Sequence, residues 1–361
     1  MFSRLFSRGD PPSRQASGGS LPRKTRGTRI YLPSPFLLGL VCVFVVLPLA
    51  WPETGPEASR AFELASFQLA SGVTSTVFSS DGHRLAATCQ DRPVVYWQRD
   101  QRSWSGHAVP IHHPNGARSL ALAPGHPTLA IGNCDGSVLL WNLASGLAGA
   151  NITSGTETVS ALAYSPAGDL LALASADSRI RLVDASSGRV LHELSGHQGP
   201  ISALVFVPDG RALISGGDDG AIVRWDVEQG RQTARVQAGT EVILALAESP
   251  GEELLASSAL CGFEIRLWDP RTLEPRGSLV GGGSTSTCLA FTADGGPLLS
   301  GNDTGDVIVW DVARACPRAT FRAHEGWVKS LSLGLHDQLL ATGGNDSFVR
   351  VWDLAAVMRA R

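Results

Sequence analysis

From Val73 to the end of the chain, apolar and small residues alternate in runs of five or six, broken by short Gly- and Asp-containing segments. A period of two along a run marks a strand with one face buried; a helix would repeat its apolar positions every three or four residues. The stretch Gly196 to Asp226 shows this most plainly. Ile201-Ser202-Ala203-Leu204-Val205-Phe206, Leu213-Ile214-Ser215-Gly216 and Ile222-Val223-Arg224-Trp225-Asp226 read as strands, with Asp209-Gly210 and Asp219-Gly220 as the turns between them. Glycine accepts the positive φ of a tight hairpin, and aspartate beside it can bond its own backbone.

The same unit recurs seven times. The copies end at Tyr96-Trp97, Trp141-Asn142, Val183-Asp184, Trp225-Asp226, Trp268-Asp269, Trp310-Asp311 and Trp352-Asp353, and counted from Trp97 through Trp141, Val183 and the four later tryptophans the steps are 44, 42, 42, 43, 42 and 42 residues. Each unit has room for four short antiparallel strands and cannot bury both faces alone, so the units must stack. A period of this length predicts an all-β, seven-bladed β-propeller of four-stranded antiparallel blades over residues 62–361.

Within the units, a His before the first strand, a Ser or Thr on the second, an Asp in the next turn and a Trp on the third recur in part. The fourth copy supplies His197, Ser215, Asp219 and Trp225; the seventh supplies His324, Thr342, Asp346 and Trp352. These residues resemble the WD-repeat (WD40-type) β-propeller family, and the resemblance covers residues 73–353. It implies a ring of blades, a buried hydrogen-bond network through the four residues of each complete copy, and protein or peptide partners on the loop faces. The second copy keeps His113, Asp135 and Trp141 but has Ile131 in place of the hydroxyl. The first, third, fifth and sixth lack the His, and the third has Val183 for Trp. A structural role for these His and Asp residues is preferred to a catalytic one.

Ring closure poses a separate problem. Only Leu354 to Arg361 follow the last Trp-Asp pair, too few for a turn and an outer strand. Residues Phe62 to Leu69 alternate suitably and are expected to supply the missing strand, which would remove an exposed sheet edge.

Residues 1–35 hold Arg4, Arg8, Arg14, Arg23, Lys24, Arg26 and Arg29 against Asp10 alone and read as a disordered basic tail. Phe36 to Trp51 is free of charge, and so is the wider window from Ile30 to Pro52. This length suits a transmembrane helix or signal anchor over 36–51, with Tyr31 and Trp51 as interfacial aromatics and a linker over 52–61. Basic residues precede the segment and Glu53, Glu57 and Glu63 follow it. The charge bias keeps the N-terminus cytoplasmic and places the propeller outside, in a periplasm-like space. A secreted protein after signal cleavage and an organelle-targeted one are the alternatives.

The chain carries a net charge of −3; the +6 of residues 1–35 leaves −9 on residues 36–361. A basic footprint for nucleic acid is therefore lacking, and no nucleic-acid partner is expected. Arginine occurs twenty-eight times, but Lys24 and Lys329 are the two lysines, and neither follows a glycine as a phosphate-binding loop requires. The six cysteines show no C-x-x-C spacing. Buried free thiols are preferred, with a Cys89–Cys134 disulfide as the alternative.

No nucleophile elbow, zincin helix or dinucleotide fingerprint appears. No catalytic residue, metal ligand or cofactor is expected, and the chain reads as a non-catalytic interaction scaffold or sensor. Candidate partner-binding residues lie in the loops entering each innermost strand and joining the second and third strands. They are Trp327, Lys329, Asp218, Asp303 and Asn345, with Trp104, in an irregular stretch from Gln98 to Ala108, as a weaker addition. The rival reading is a propeller enzyme or small-ligand binder using the central channel and His107, His112 and His113. An envelope protein whose array stacks with others is a third.

Overall fold

A computed structural model of the chain describes residues 60–89, 93–100, 103–109, 116–153, 155–251 and 253–359. The tail 1–35, the segment 36–51 and all but the end of the linker lie outside these. Among the described residues no helix is long and apolar enough to cross a membrane.

Seven four-stranded antiparallel sheets follow the seven sequence copies, as the alternating pattern predicts. Their first strands are Val73–Phe78, Ala117–Leu122, Val159–Tyr164, Ile201–Phe206, Ile243–Glu248, Ser286–Phe291 and Val328–Gly334. Each first strand touches the first strands of both neighbouring blades, so these seven form the inner wall of the ring. Apolar clusters bridge neighbouring blades: Ile180 and Leu182 of blade three pack with Leu213 and Trp225 of blade four. Small residues on the second strands allow this approach. A Cβ at Gly216 would sit 2.6 Å from the Ile243 side chain of the next blade, and one at Gly301 2.6 Å from Val328.

Blade seven is closed from the front of the chain. Strand β1 (Glu63–Gln68) pairs antiparallel with Phe348–Asp353, placing Ser66 opposite Arg350 and Phe67 opposite Val349. The strand begins one residue later than the alternation suggests, because Arg60–Phe62 form a 3-10 turn at the end of the expected linker. Phe67 reaches beyond its own blade and stacks on Trp97 of blade one at 4.5 Å. Ser330 and Ser332 of blade seven accept hydrogen bonds from the amides of Thr76 and Phe78 at 2.9 and 2.8 Å. The first and last blades are thus joined by strand pairing, by aromatic stacking and by two seam hydrogen bonds.

Two local features depart from the sequence reading. Most of the stretch from Gln98 to Ala108 lies in two paired antiparallel strands, Val95–Asp100 and Ser103–Ala108. Trp104 therefore belongs to a strand and packs against Phe67 and Phe78 at 6.0 Å, which removes it from the loop face. The residues after Asp353 form a short helix, α1 (Leu354–Arg359), because β1 already occupies the outer edge they might have paired with. The Asp353 carboxylate accepts the Ala356 amide at 2.8 Å, and Leu354 and Val357 are buried in the cluster around Trp352.

Candidate functional site

The four polar residues singled out in blade four converge in one buried chain. The Trp225 indole donates to Ser215 Oγ at 2.8 Å, Ser215 Oγ lies 2.8 Å from His197 Nε2, and His197 Nδ1 lies 2.9 Å from Asp219 Oδ1. Blade seven repeats this with Trp352, Thr342, His324 and Asp346 at 2.9, 2.7 and 2.8 Å. One assignment satisfies both chains. The hydroxyl accepts from the indole and donates to Nε2, and a neutral imidazole donates from Nδ1 to the carboxylate.

Burial lowers the pKa of both imidazoles, partly offset by the carboxylate partners. Burial also works to raise Asp219, but the Gln198 amide and His197 outweigh it and hold the carboxyl below its usual range. Asp346 is held well below that range by His324 and Arg350 against the same burial penalty. Every polar atom of these chains is committed to a neighbour, an arrangement that locks a blade and leaves no nucleophile free.

An arginine completes each network, and sequence reading missed both. Arg235 donates to Asp219 Oδ2 at 3.0 Å and to the Gly196 carbonyl. Arg350 donates to Asp346 Oδ2 at 2.7 Å and to the Ala323 carbonyl. Arg235 lies on the fourth strand opposite Val223, whereas Arg350 lies on the third strand opposite Ser66. The same place is reached from either strand of the pair, so no single column of the repeat reveals it.

The remaining blades keep fragments. Trp268 donates to Ser257 and Trp310 to Ser300, each at 2.8 Å, without a histidine. In blade two, Ile131 stands where the hydroxyl would be, and the buried Trp141 indole nitrogen has no partner among the described residues. Blade three fills the same positions with Leu173 and Val183, both fully buried.

The loops entering the first strands and those joining the second to the third share one face. They are stitched by a repeated bond in which the residue after the second strand donates its amide to the loop carbonyl. Asp218 bonds Pro200, Asp303 bonds Thr285, and Asn345 bonds Trp327, at 2.8, 3.1 and 3.0 Å. Three of the sequence candidates therefore occupy equivalent stations around the ring. Asp218 and Asn345 are exposed. Burial and the charge of Asp219 raise the Asp218 carboxyl. Asp303 is partly buried, with Oδ1 unpartnered among the described residues. Trp327 and Lys329 are brought together directly, with the amine 3.9 Å from the ring centroid. Both are partly buried, so Trp327 is less open than an exposed anchor would be.

Each first strand also carries one extra residue against its partner, a β-bulge after its first position. The bulged residues are Thr74, Arg118, Ser160, Ser202, Leu244, Thr287 and Lys329. Arg118 was not a sequence candidate; aligning the second residue of every first strand would have found it beside Lys329.

The rival reading receives no support from His107. This residue sits on the outermost strand of blade one, stacked on Tyr96 at 5.2 Å, and so does not face the central channel. His112 and His113 lie outside the described residues. Cys89 and Cys134 are both free thiols. On the opposite face a cleft of about 760 Å³ opens between blades three and four, lined in part by Leu191, His192, Asp209 and Arg211. Asp209 is occupied there by the Arg211 amide at 2.8 Å.

Comparison with known families agrees with the geometry. A family model described as the anaphase-promoting complex subunit 4 WD40 domain matches residues 120–206. The WD domain, G-beta repeat, matches residues 188–226 and 315–353, the two copies with complete networks. The chain is 34% identical over 90 residues to p21-activated protein kinase-interacting protein 1-like of Xenopus laevis, covering 25% of this chain and 24% of that protein. It is 39% identical over 71 residues to mitochondrial division protein 1 of Mycosarcoma maydis, covering 20% and 8%. With a WD repeat-containing protein 3 homolog of Dictyostelium discoideum it shares 27% over 115 residues, covering 32% and 12%. The chain thus spans about a quarter or less of each of these relatives. Seven blades and these matches together support a WD40 β-propeller.

Proposed function

We propose that this chain is a membrane-anchored, non-catalytic scaffold or sensor that docks a protein partner on the face carrying Trp327, Asn345, Asp218 and Asp303. The observation that carries this reading is the grouping of Trp327, Lys329 and Asn345 at one station, with two carboxylates at equivalent stations of other blades. An aromatic ring framed by polar groups is the composition of an interaction hot spot. WD-repeat propellers typically serve as protein-interaction scaffolds, and one matched relative is itself named as a kinase-interacting protein. The polar networks of blades four and seven hold the loops of this face in register, because Asp219 also accepts the Gln198 amide and Asp346 the Glu325 amide.

In this reading residues 36–51 anchor the chain, the basic tail stays in the cytoplasm and the propeller faces the other side. Crosslinking in intact cells tests the docking face. Trp327→Ala combined with Asp218→Lys is expected to abolish the crosslinked partners of the native chain without moving its melting temperature. An unchanged partner set would refute the assignment. Protease protection of a C-terminal tag tests the topology; a tag that stays protected until the inner membrane is breached would overturn it.

A further inference from the structure

The seven bulge positions at the inner wall are not chemically equal. Thr74 bonds the Thr88 carbonyl at 3.2 Å. The hydroxyls of Ser160, Ser202 and Thr287 each donate to the first carbonyl of the next blade's inner strand, at Ile201, Ile243 and Val328. Leu244 is apolar. Two cations remain: Arg118 on blade two and Lys329 on blade seven, flanking the inner strand of blade one.

Both stand at the same bulge station, on the two inner strands that border that of blade one. Burial lowers the Lys329 amine below the usual lysine range, and the Arg118 charge pushes it the same way. Among the described residues neither has an acidic partner within ion-pair distance; the arginines that do, such as Arg181, Arg235 and Arg350, face Asp177, Asp219 and Asp346. The Trp327 ring holds the Lys329 amine from one side, which restricts the side chain while leaving other N–H donors of the ammonium free. A pair of like charges held together without a counter-ion gains from any anion placed between them. A guanidinium fork beside an ammonium suits a carboxylate, which accepts bidentately from the arginine and singly from the lysine.

We propose that Arg118 and Lys329 form a carboxylate-binding site at the mouth of the central channel, taking an Asp or Glu side chain from an extended segment of the partner. Trp327 supplies the apolar floor on which that segment lies. This rests on the reading of the same face as a docking surface. A peptide rather than a free anion is favoured because Trp327 adjoins Lys329 and the exposed Asn345 adjoins Trp327, and the two offer apolar and hydrogen-bonding contact that a small ion would not use.

The test uses the full chain in detergent and blocked hexaglutamate, with blocked hexaglutamine as control, followed by tryptophan fluorescence and calorimetry at low salt. Hexaglutamate is expected to bind and hexaglutamine not. The double variant Arg118→Gln/Lys329→Gln should lose about tenfold or more in affinity, equivalent to about 1.4 kcal/mol. Arg118→Lys should keep part of the binding. Equal hexaglutamate affinity in the native chain and the double variant would overturn the site. Inorganic phosphate bound as tightly as hexaglutamate, and lost in the same variant, would replace the peptide by a small anion and so overturn the proposed occupant. Unchanged melting temperatures show that the variants fold. Crosslinked partners lost in Trp327→Ala/Asp218→Lys but kept in Arg118→Gln/Lys329→Gln would leave the docking face standing and remove the carboxylate site. Partners kept in both would remove the docking face itself.

Discussion

Blades two and four have the same four antiparallel strands and nearly the same length, yet their interiors are solved differently. In blade four the Trp225 indole is satisfied by Ser215, which passes the bond to His197 and Asp219. In blade two the Trp141 indole nitrogen is buried without a partner among the described residues, since Ile131 occupies the place of the hydroxyl. Blade three goes further and replaces both with Leu173 and Val183. The lesson is that strand alternation, turn chemistry and inter-blade packing suffice to build a blade. The polar chain adds a local lock that ties the turn between strands two and three to the loop entering strand one. Unsatisfied buried donors cost about 1–3 kcal/mol, so blade two carries a deficit that its packing must offset.

Blade seven has the greatest need of a lock, because its outer strand comes from the far end of the described chain. Removing residues 1–70 should therefore have the largest effect: loss of a single cooperative thermal transition and of monodisperse behaviour on size exclusion. A truncated chain that melts within a few degrees of the native one would show that the clasp is dispensable.

Next in size are the hydroxyl deletions. Ser215→Ala and Thr342→Val each strip a buried indole and a buried imidazole of a partner and should cost about 1–3 kcal/mol in denaturant titrations. Ser300→Ala strips only the Trp310 indole and should cost less. Equal losses at Ser215 and Ser300 would mean that the histidine contributes nothing.

Acid should expose the same asymmetry. His197 and His324 have folded-state pKa values below the ordinary 6.5, so the unfolded chain binds protons more readily. Their contribution is fully present above about 6.5 and is lost as the pH falls from there through the folded values. Asp219 and Asp346, also depressed, add a second loss below their ordinary value of 3.8. The melting temperature should fall between neutral pH and pH of about 5, and the slope should flatten in His197→Gln/His324→Gln. A variant with the native slope would show that other groups set the acid response.

The smallest effect sharpens the opening contrast. Ile131→Thr removes buried apolar surface but gives the Trp141 indole an acceptor. It should cost less than Leu173→Thr in blade three, where Val183 offers no indole to satisfy. Equal costs in thermal melts would show that the unpaired indole is not a deficit.

Much of this molecule was readable from the order of its residues. The seven copies, the strands within them and the closing strand near residues 62–69 follow from local periodicity, and the resemblance to WD-repeat propellers implies the grouping of His, Ser or Thr, Asp and Trp in blades four and seven. Such patterns are legible because a strand's face, a turn's glycine and a repeated spacing are set by neighbours in sequence. Tertiary structure alone decided the rest. It put Trp104 on a strand paired with Val95–Asp100, where its ring packs into the seam with Phe67, and put His107 on the same outer strand. It let Arg235 and Arg350 reach equivalent carboxylates from opposite strands, and set Arg118 and Lys329 at one station on the inner strands either side of blade one although more than two hundred residues separate them. Those relations depend on how one blade meets another and on which strand supplies an edge. Closing the ring determines them, and no stretch of the chain as short as one repeat contains that information.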